Sequence, residues 1–278
     1  MKIAISAEST IDVQEDLLKE YNIEVIPYKV IMGNDEFADG EVTTEQLFDF
    51  VKLTGVLPKT SALNQGEYKA YFEDLLKKYD AVIHITLSSL MSSSHHHACA
   101  AANELQNVYV IDSGSLSTGI ALLCLKARDL ANAGLGAERI AKEITDLVPK
   151  VQASFILDKL NYLVKGGRCN ALVAFGANLL QIKPQIIVKD GKMIVGKRYM
   201  GKYEKNVKKY CEDTLSDNPD ADLTYAFVTY SSASPESIAT AKEALASRGF
   251  KNVFETHANA TVSSHCGPNT IGILFLRA

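Results

Sequence analysis

Short apolar segments rich in β-forming residues alternate with segments of helical periodicity through the first half of this chain. The predicted strands include residues 3–5, 81–87 and 108–111, and helical segments follow the last of them at residues 119–131 and 137–148. Strands separated by helices predict βαβ units, which build a parallel sheet covered by helices on both faces. We therefore expect a parallel-sheet α/β domain in this half.

The second half of the chain has a different pattern of elements. Two short β-forming runs flank Asp190-Gly191, a dipeptide typical of a tight hairpin turn. A charged helix is expected over residues 202–215, a strand over 224–229 and a further helix over 235–248. A hairpin combined with crossing helices predicts a mixed sheet rather than a parallel one.

These two patterns together predict the fold class and the domain organisation. The fold is expected to be α/β with two domains, an N-terminal parallel-sheet βαβ domain and a C-terminal mixed-sheet α/β domain. We place the boundary after Pro149, which gives domains over residues 1–150 and 151–278. A linker rich in Gly and Ser does not mark this boundary.

Composition excludes several classes of partner. Hydrophobic residues make up 47% and charged residues 22% of the 278 residues, with a net charge of −4. This is the composition of a soluble globular protein without the basic stripe that nucleic acid requires. We expect no integral membrane segment, because the longest apolar stretch is too short to span a bilayer. The five scattered cysteines fit reduced thiols and a cytoplasmic location.

Small hydroxyl residues gather where three of the predicted strands end. The clusters are Glu8-Ser9-Thr10, residues 88–94 and residues 112–115. In an open parallel sheet, ligands bind outside the carboxyl ends of the strands. Each cluster also precedes a predicted helix, so its residues are candidates either for an anion site or for simple N-caps.

Three further clusters are candidates for binding. Thr60-Ser61 lies away from any clear helix cap, where its hydroxyls are either exposed in an extended loop or available to a ligand. Gly166-Gly167 ends a short apolar helix and leaves Arg168 at the boundary, a common place for an anion-binding group. His265 stands beside a Gly-Pro turn, as either a structural or a functional histidine.

The residues leave an enzyme open as an alternative. Serines and histidines are abundant, so a Ser/His hydrolase is conceivable, although no carboxylate is obviously placed to orient a histidine. His95 and Cys99, four residues apart, share a helix face, but a metal-dependent hydrolase would need His265 and Cys266 to complete the ligand set. We expect no metal, and prefer a polar helix face or ligand-adjacent histidines.

Taken together, these clusters resemble the DegV family of bacterial fatty acid-binding proteins over essentially the whole chain. The motifs that carry the resemblance are Glu8-Ser9, Pro58-Lys59-Thr60-Ser61, Ser88-Ser89-Leu90-Met91-Ser92, Ile111-Asp112-Ser113, Leu160-x-Tyr162-Leu163-x-Lys165-Gly166-Gly167-Arg168, Lys183-Pro184 and His265-x-Gly267-Pro268. The chain departs from the family pattern beside these motifs. Ala62-Leu63 replaces Gln-Pro, residues 93–97 replace a Gly-Thr-Tyr-Gln-Ser run, and Asn269 replaces a glycine.

The resemblance implies a lipid carrier that does no chemistry itself and needs no cofactor. One long-chain fatty acid is expected between the two domains, with Thr60 and Ser92 holding its carboxylate and Arg168 and His265 near the mouth. Ser61 and Ser93 complete the predicted ligand-binding set. In some members of the family the acid is presented to a separate kinase subunit, which makes an acyl-phosphate for phospholipid synthesis. From their apolar character we expect the tunnel walls around Leu172, Val173, Phe175, Leu179 and Ile182.

Overall fold

A computed structural model describes residues 1–169 and 182–278 of the chain. Its strands, in chain order, are β1 (Ile3–Glu8), β2 (Ile23–Ile26), β3 (Lys29–Met32), β4 (Asp35–Ala38), β5 (Lys59–Ser61), β6 (Ala81–Thr86), β7 (Val108–Asp112), β8 (Val151–Leu157), β9 (Ile182–Lys189), β10 (Lys192–Met200), β11 (Ala221–Ser232), β12 (Asn252–His257) and β13 (Thr270–Arg277). Its α-helices are α1 (Glu15–Glu20), α2 (Thr44–Thr54), α3 (Gln65–Leu76), α4 (Ser94–Ala102), α5 (Thr118–Asn132), α6 (Ala137–Leu147), α7 (Asn161–Lys165), α8 (Tyr203–Asp217), α9 (Pro235–Arg248) and α10 (Ala260–Cys266). Short 3₁₀ turns cover Ser9–Ile11 and Val148–Lys150.

The first sheet is fully parallel, as the strand–helix alternation predicts. Its strand order is β2-β1-β6-β7, and every neighbouring pair is parallel. All six residues of β1 are buried, because both faces of the sheet are covered. Ile3 and Ile5 pack toward α5 and α6 on one face, while Ala4 packs with Tyr68 and Phe72 of α3 on the other.

The second sheet is mixed, which confirms the expectation for the other half of the chain. Its order is β10-β9-β8-β13-β11-β12, and within it β11 and β12 run parallel while the other described pairs are antiparallel. The hairpin between β9 and β10 turns at Asp190 and Gly191, whose φ angles are +50° and +74°. Positive φ at both central residues is the requirement of a type I′ turn, so the Asp-Gly prediction is confirmed.

A small antiparallel sheet, β4-β3-β5, was not predicted from the sequence. Thr60 and Ser61 belong to its short strand β5, where Thr60 pairs with Val30. The interpretation of Thr60 and Ser61 as an extended loop is therefore wrong. Strand pairing fixes the backbone of these two residues more firmly than a loop would.

Helix α5 joins the cores of the two large sheets. Its residues from Thr118 to Leu125 are all buried, and the helix packs against β1 of the first sheet and against β8, β11 and β13 of the second. One hydrophobic cluster accordingly contains Ile5, Ile120, Phe227 and Leu274. The two sheets divide the chain near residue 150, but a domain boundary there stays a prediction. Over the described ranges, no helix is both long and apolar enough to cross a membrane.

Candidate ligand-binding site

A cavity of about 420 Å³ lies between the two halves of the molecule. Its volume falls within the range of small-molecule pockets in proteins. The lining residues come from the carboxyl ends of the parallel strands, from β5, and from β8, β11, β13 and α10 of the second half. The rule that ligands bind at the carboxyl ends of parallel strands therefore identifies one wall of this cavity.

The structure brings all six of the predicted ligand-binding residues to this cavity. They lie at its polar end and are Thr60, Ser61, Ser92, Ser93, Arg168 and His265. They come from four separate segments, which only the tertiary fold brings together. Tyr28 and His97 line the cavity with them and were not assigned to the ligand by sequence analysis. His97 is the last residue of the histidine run His95-His96-His97, which is conspicuous in the sequence, whereas the sequence carries no signal for Tyr28.

Thr60 and His265 form a hydrogen-bonded pair across the two halves of the chain. The Oγ1 atom of Thr60 is 3.0 Å from Nε2 of His265. Burial, together with the positive charge of Arg168, lowers the pKa of His265 to about 4, so the ring is neutral at pH 7. Its Nδ1 atom is buried and has no hydrogen-bond partner among the described residues.

The unpartnered nitrogen determines which way this hydrogen bond runs. A buried N–H without an acceptor is rarer in proteins than a lone pair without a donor, so the hydrogen belongs on Nε2. His265 then donates to Thr60, and Thr60 is free to donate its own hydroxyl hydrogen elsewhere. An anion in the cavity is the natural acceptor for that hydrogen.

Gly166 and Gly167 have separate structural roles beside this pair. A Cβ atom on Gly166 would lie 2.6 Å from Nδ1 of His265 and 3.0 Å from the carbonyl oxygen of Tyr162, so His265 can occupy its place only beside a glycine. Gly167 has a φ of +70°, a left-handed conformation that favours glycine, and no atom lies within 4 Å of its would-be Cβ. The paired glycines thus end α7, as the sequence predicts, and Gly166 in addition leaves room for His265.

Ser92 is held by a second set of hydrogen bonds. Its Oγ atom accepts from the backbone N–H of Ser94 at 3.2 Å and lies 3.0 Å from the hydroxyl of Tyr28. Burial raises the pKa of Tyr28 far above its ordinary value, so the phenol keeps its hydrogen. The simple N-cap interpretation is wrong for Ser93, because its side chain does not cap the helix that it precedes.

Arg168 supplies positive charge at the edge of the cavity. Its Nη1 atom donates to the carbonyl oxygen of Gly166 at 2.8 Å, which holds the exposed guanidinium beside the helix end. Among the described lining residues, no Asp, Glu or Lys accompanies it. An arginine with hydroxyl groups and no carboxylate is a set of donors suited to an anionic head group.

The remainder of the cavity is largely apolar. Its apolar lining includes Leu87, Met91, Leu116, Phe155, Leu163, Met193, Val262 and Leu274. Of the tunnel residues predicted from the sequence, Leu172, Val173, Phe175 and Leu179 lie outside the described residues. Ile182 begins β9 and is not among the described residues that line the cavity.

Two buried carboxylates tie the first half of the chain to the helix that carries His265. Asp12 accepts from the backbone N–H of Asn259 at 2.8 Å, and Asp39 accepts from that of Thr261 at 3.1 Å. Both bonds lie at the start of α10, where unpaired N–H groups favour negative charge. Burial raises the pKa of each carboxyl group above its ordinary value. The position of His265 therefore depends on residues of both halves.

The histidine run divides into three different environments. Nδ1 of His95 is 3.0 Å from Oγ1 of Thr86, and its Nε2 is 3.4 Å from Sγ of Cys99, so the predicted shared helix face is confirmed. His96 is exposed, whereas His97 lines the cavity. Within the part of the chain that the structure describes, no three His, Cys, Asp or Glu side chains are placed to hold a metal ion.

A serine, a histidine and a carboxylate do meet elsewhere, in the core. Ser6 Oγ is 2.9 Å from Nδ1 of His84, whose Nε2 is 3.9 Å from Oε1 of Glu8. All three side chains are fully buried, and none belongs to the cavity wall. The last distance is too long for a hydrogen bond, and Tyr68 donates to the same Glu8 oxygen. This arrangement is a packed polar network that a substrate in the cavity does not contact.

Comparison with known proteins agrees with this geometry. The family model described as "Uncharacterised protein, DegV family" matches residues 2–278. The chain belongs to the DegV family. It is 30% identical to Protein DegV of Bacillus subtilis over 277 residues, covering 98% of each chain.

Solved structures of DegV proteins share the fold. The crystal structure described as DegV, a fatty acid binding protein from Bacillus subtilis, matches with a TM-score of 0.86 and 26% identity, covering all of both chains. A DegV family protein from Thermus thermophilus, described by its fatty acid binding, matches with a TM-score of 0.92 and 24% identity, again over the whole of both chains. The predicted α/β fold class and the DegV resemblance are confirmed. These relatives are described by fatty acid binding rather than by a reaction.

Proposed function

We propose that this protein binds one long-chain fatty acid in the cavity between its two halves. The carboxylate lies at the polar end, where Thr60 and Ser92 donate to it and Arg168 supplies positive charge. The single observation that carries the proposal is one cavity that joins this polar end to a long apolar wall. The fatty acid binding of DegV relatives supports the same assignment.

The two ends of such a ligand contribute differently to the binding free energy. Burying a methylene group contributes about 0.8 kcal/mol, so a chain of roughly sixteen carbons offers on the order of 10 kcal/mol before costs. Each head-group hydrogen bond contributes about 1–3 kcal/mol. The apolar wall therefore supplies most of the affinity and selects chain length, while the hydroxyl groups and Arg168 fix which end of the ligand faces the mouth.

According to this proposal, the protein is a cytoplasmic carrier and not an enzyme. It presents the carboxylate to a separate fatty acid kinase subunit, which forms an acyl-phosphate that enters phospholipid synthesis. A carboxylate held near the exposed Arg168 is accessible to such a partner, whereas the tail is covered by the protein. The cysteines of the described residues form no disulfide, in keeping with a reducing compartment.

Identification of the bound lipid tests the proposal directly. The purified protein is denatured in organic solvent, and the extract is analysed by mass spectrometry. We expect about one fatty acid per chain, with a narrow distribution of chain lengths. A protein that carries no lipid and does not bind added fatty acids would exclude the carrier function. Labelling of one serine by a fluorophosphonate probe, lost in His265→Gln, would instead indicate the hydrolase alternative.

A further inference from the structure

His97 has a fixed orientation in the wall of the cavity. It lies on α4, and Ser92 and Ser93 line the same end of the cavity. Its Nδ1 atom is 2.7 Å from the carbonyl oxygen of Leu63. A carbonyl oxygen only accepts, so Nδ1 carries the hydrogen of this bond. In a neutral ring the other nitrogen, Nε2, is then an unprotonated acceptor.

His97 lines the cavity while its Nδ1 edge is turned to Leu63, which leaves the Nε2 edge to face the cavity. Leu63, which holds the opposite edge, is not among the described residues that line the cavity, whereas His97 is. Ala62 lines the cavity at the same end and contributes only a methyl group. The backbone N–H of His97 donates to the carbonyl oxygen of Ser93 at 3.1 Å, so the ring lies one helical turn from the Ser92–Ser93 segment that would hold the head group.

A carboxylate and a neutral Nε2 cannot form a hydrogen bond, because both groups only accept. One added proton removes the conflict, since an imidazolium donates through both nitrogens. We propose that His97 takes up one proton when the fatty acid binds and donates from Nε2 to the carboxylate, while Nδ1 keeps its bond to Leu63. This inference rests on the proposed function and adds a ligand contact to it.

The other ionisable groups around His97 are not expected to take up the proton when the fatty acid binds. Within the cavity wall, Arg168 is a permanent cation and burial keeps His265 neutral at pH 7. Burial also raises the pKa of the remaining titratable groups of the wall, so that they keep their protons: Tyr28, Tyr230 and Cys266. His96, the neighbouring ring on α4, is exposed, with the ring centres of the two histidines 6.0 Å apart.

The elements packed against α4 carry ionisable groups that have partners of their own. These elements are α3, β6 and β7. On α3, Glu67 pairs with Lys29, and Lys69 pairs with Glu104. Two further groups with partners are His84 on β6, which bonds to Ser6, and Asp112 on β7, which accepts from the backbone N–H groups of Ser89 and Gly114.

Calorimetry that counts protons tests the inference. Delipidated wild-type protein is titrated with dodecanoate at pH 7.5 in phosphate and in Tris, two buffers whose ionisation enthalpies differ. We expect the wild type to take up a measurable fraction of a proton per ligand, and its affinity to fall as the pH rises above neutrality. The neutral analogue 1-dodecanol is expected to bind without proton uptake.

Variants at His97 and His96 test whether His97, rather than a neighbouring group, takes up the proton. His97→Asn keeps a donor for the carbonyl of Leu63 but has no Nε2, and it is expected to take up no proton and to lose about tenfold in dodecanoate affinity at pH 6.5. His97→Gln, a second variant in case the first does not fold, is likewise expected to lose the uptake. His96→Asn is the matched control and keeps wild-type behaviour.

Each outcome decides the inference. Dodecanoate binding without proton uptake by the wild type overturns it and leaves the proposed function standing. Uptake that persists in His97→Asn also overturns it, and its loss in His265→Gln would then assign the proton to His265. Failure of the wild type to bind any fatty acid overturns the inference and the proposed function together.

Discussion

The two ends of the cavity are built on different principles. At the polar end, specific hydrogen bonds hold each group: Thr60 bonds to His265, Ser92 to Tyr28 and the backbone N–H of Ser94, and Arg168 to a backbone carbonyl. At the other end the wall consists of side chains such as Phe155 and Leu274, which share no specific bond and act through their surface. Binding therefore depends on the positions of the hydrogen-bonding groups at the polar end and on the buried apolar area at the other end. The following variants separate these two contributions.

The largest effect is expected at the apolar end. Val262 is half-buried on α10 and lines the cavity, so Val262→Trp would occupy space needed by the tail. Displacing about three methylene groups would weaken palmitate binding roughly fiftyfold. Decanoate, with a shorter tail, would lose much less. Fluorescence displacement measures both affinities, Val262→Ile is the control, and equal losses for the two acids would contradict an area-controlled tail site.

A smaller loss of affinity is expected at the polar end. The double variant Thr60→Val with Ser92→Ala keeps the shape of the cavity and removes two hydroxyl groups. Palmitate binding should fall about thirtyfold, because the two lost hydrogen bonds together contribute about 2 kcal/mol at the low end of their range. Transfer to a kinase should fall further, since the carboxylate loses its orientation. Thr54→Val, on the exposed end of α2, is the control. Unchanged transfer in the double variant would count against these roles.

Substitutions of the adjacent glycines Gly166 and Gly167 test the position of His265 through a smaller change in affinity. Gly166→Ala would push His265 away from Thr60 and is expected to cost about fivefold in palmitate affinity, because the bond between them loosens. Gly167→Ala meets no atom within 4 Å but has a strained φ, so it should lower stability by about 1 kcal/mol with little effect on affinity. Chemical denaturation measures the stability of both variants, and a binding assay measures their palmitate affinity. Equal affinities in the two variants would contradict this role of Gly166.

Acid stability, measured without ligand, gives a separate test of the polar end. The folded pKa of His265 is about 4, below the ordinary value of 6.5, so between these limits the unfolded chain binds more protons than the folded one. Wild-type stability should therefore decline as pH falls from 6.5 to 4, with this contribution complete above pH 6.5. His265→Gln removes the contribution and should show a shallower decline in urea unfolding. A parallel decline in both proteins would show that other groups control acid stability.

Much of the fold could be predicted because its signals are local. The alternation of strands and helices predicts the parallel sheet. Asp190-Gly191 predicts the hairpin of the mixed sheet from two residues alone. The six predicted site residues also line one cavity. A strand end and a glycine-capped helix indicated Ser92, Ser93 and Arg168 as candidates, whereas the resemblance to the DegV family assigned the set to a ligand. Pro235 and Gly249 bracket a predicted helix in the same local way.

The remainder depends on contacts between distant segments. The small sheet uses four-residue strands without a clear alternation of polar and apolar residues, so pairing with Lys59–Ser61 was not visible in the sequence. Tyr28 reaches Ser92 only because 64 residues of chain fold back between them. The Asp12 and Asp39 bonds to α10 likewise cross more than 200 residues. Such pairings are decided by tertiary packing, and neither composition nor periodicity records them.

The position of α5 has a consequence for how such proteins can change over evolutionary time. Because one helix packs against both large sheets, the halves are not interchangeable modules. A chimera that joined residues 1–150 of this chain to the second half of a relative would have to match the surface of α5 as well as the cavity. Lipid preference is therefore expected to diversify through single substitutions along the cavity wall rather than through exchange of halves.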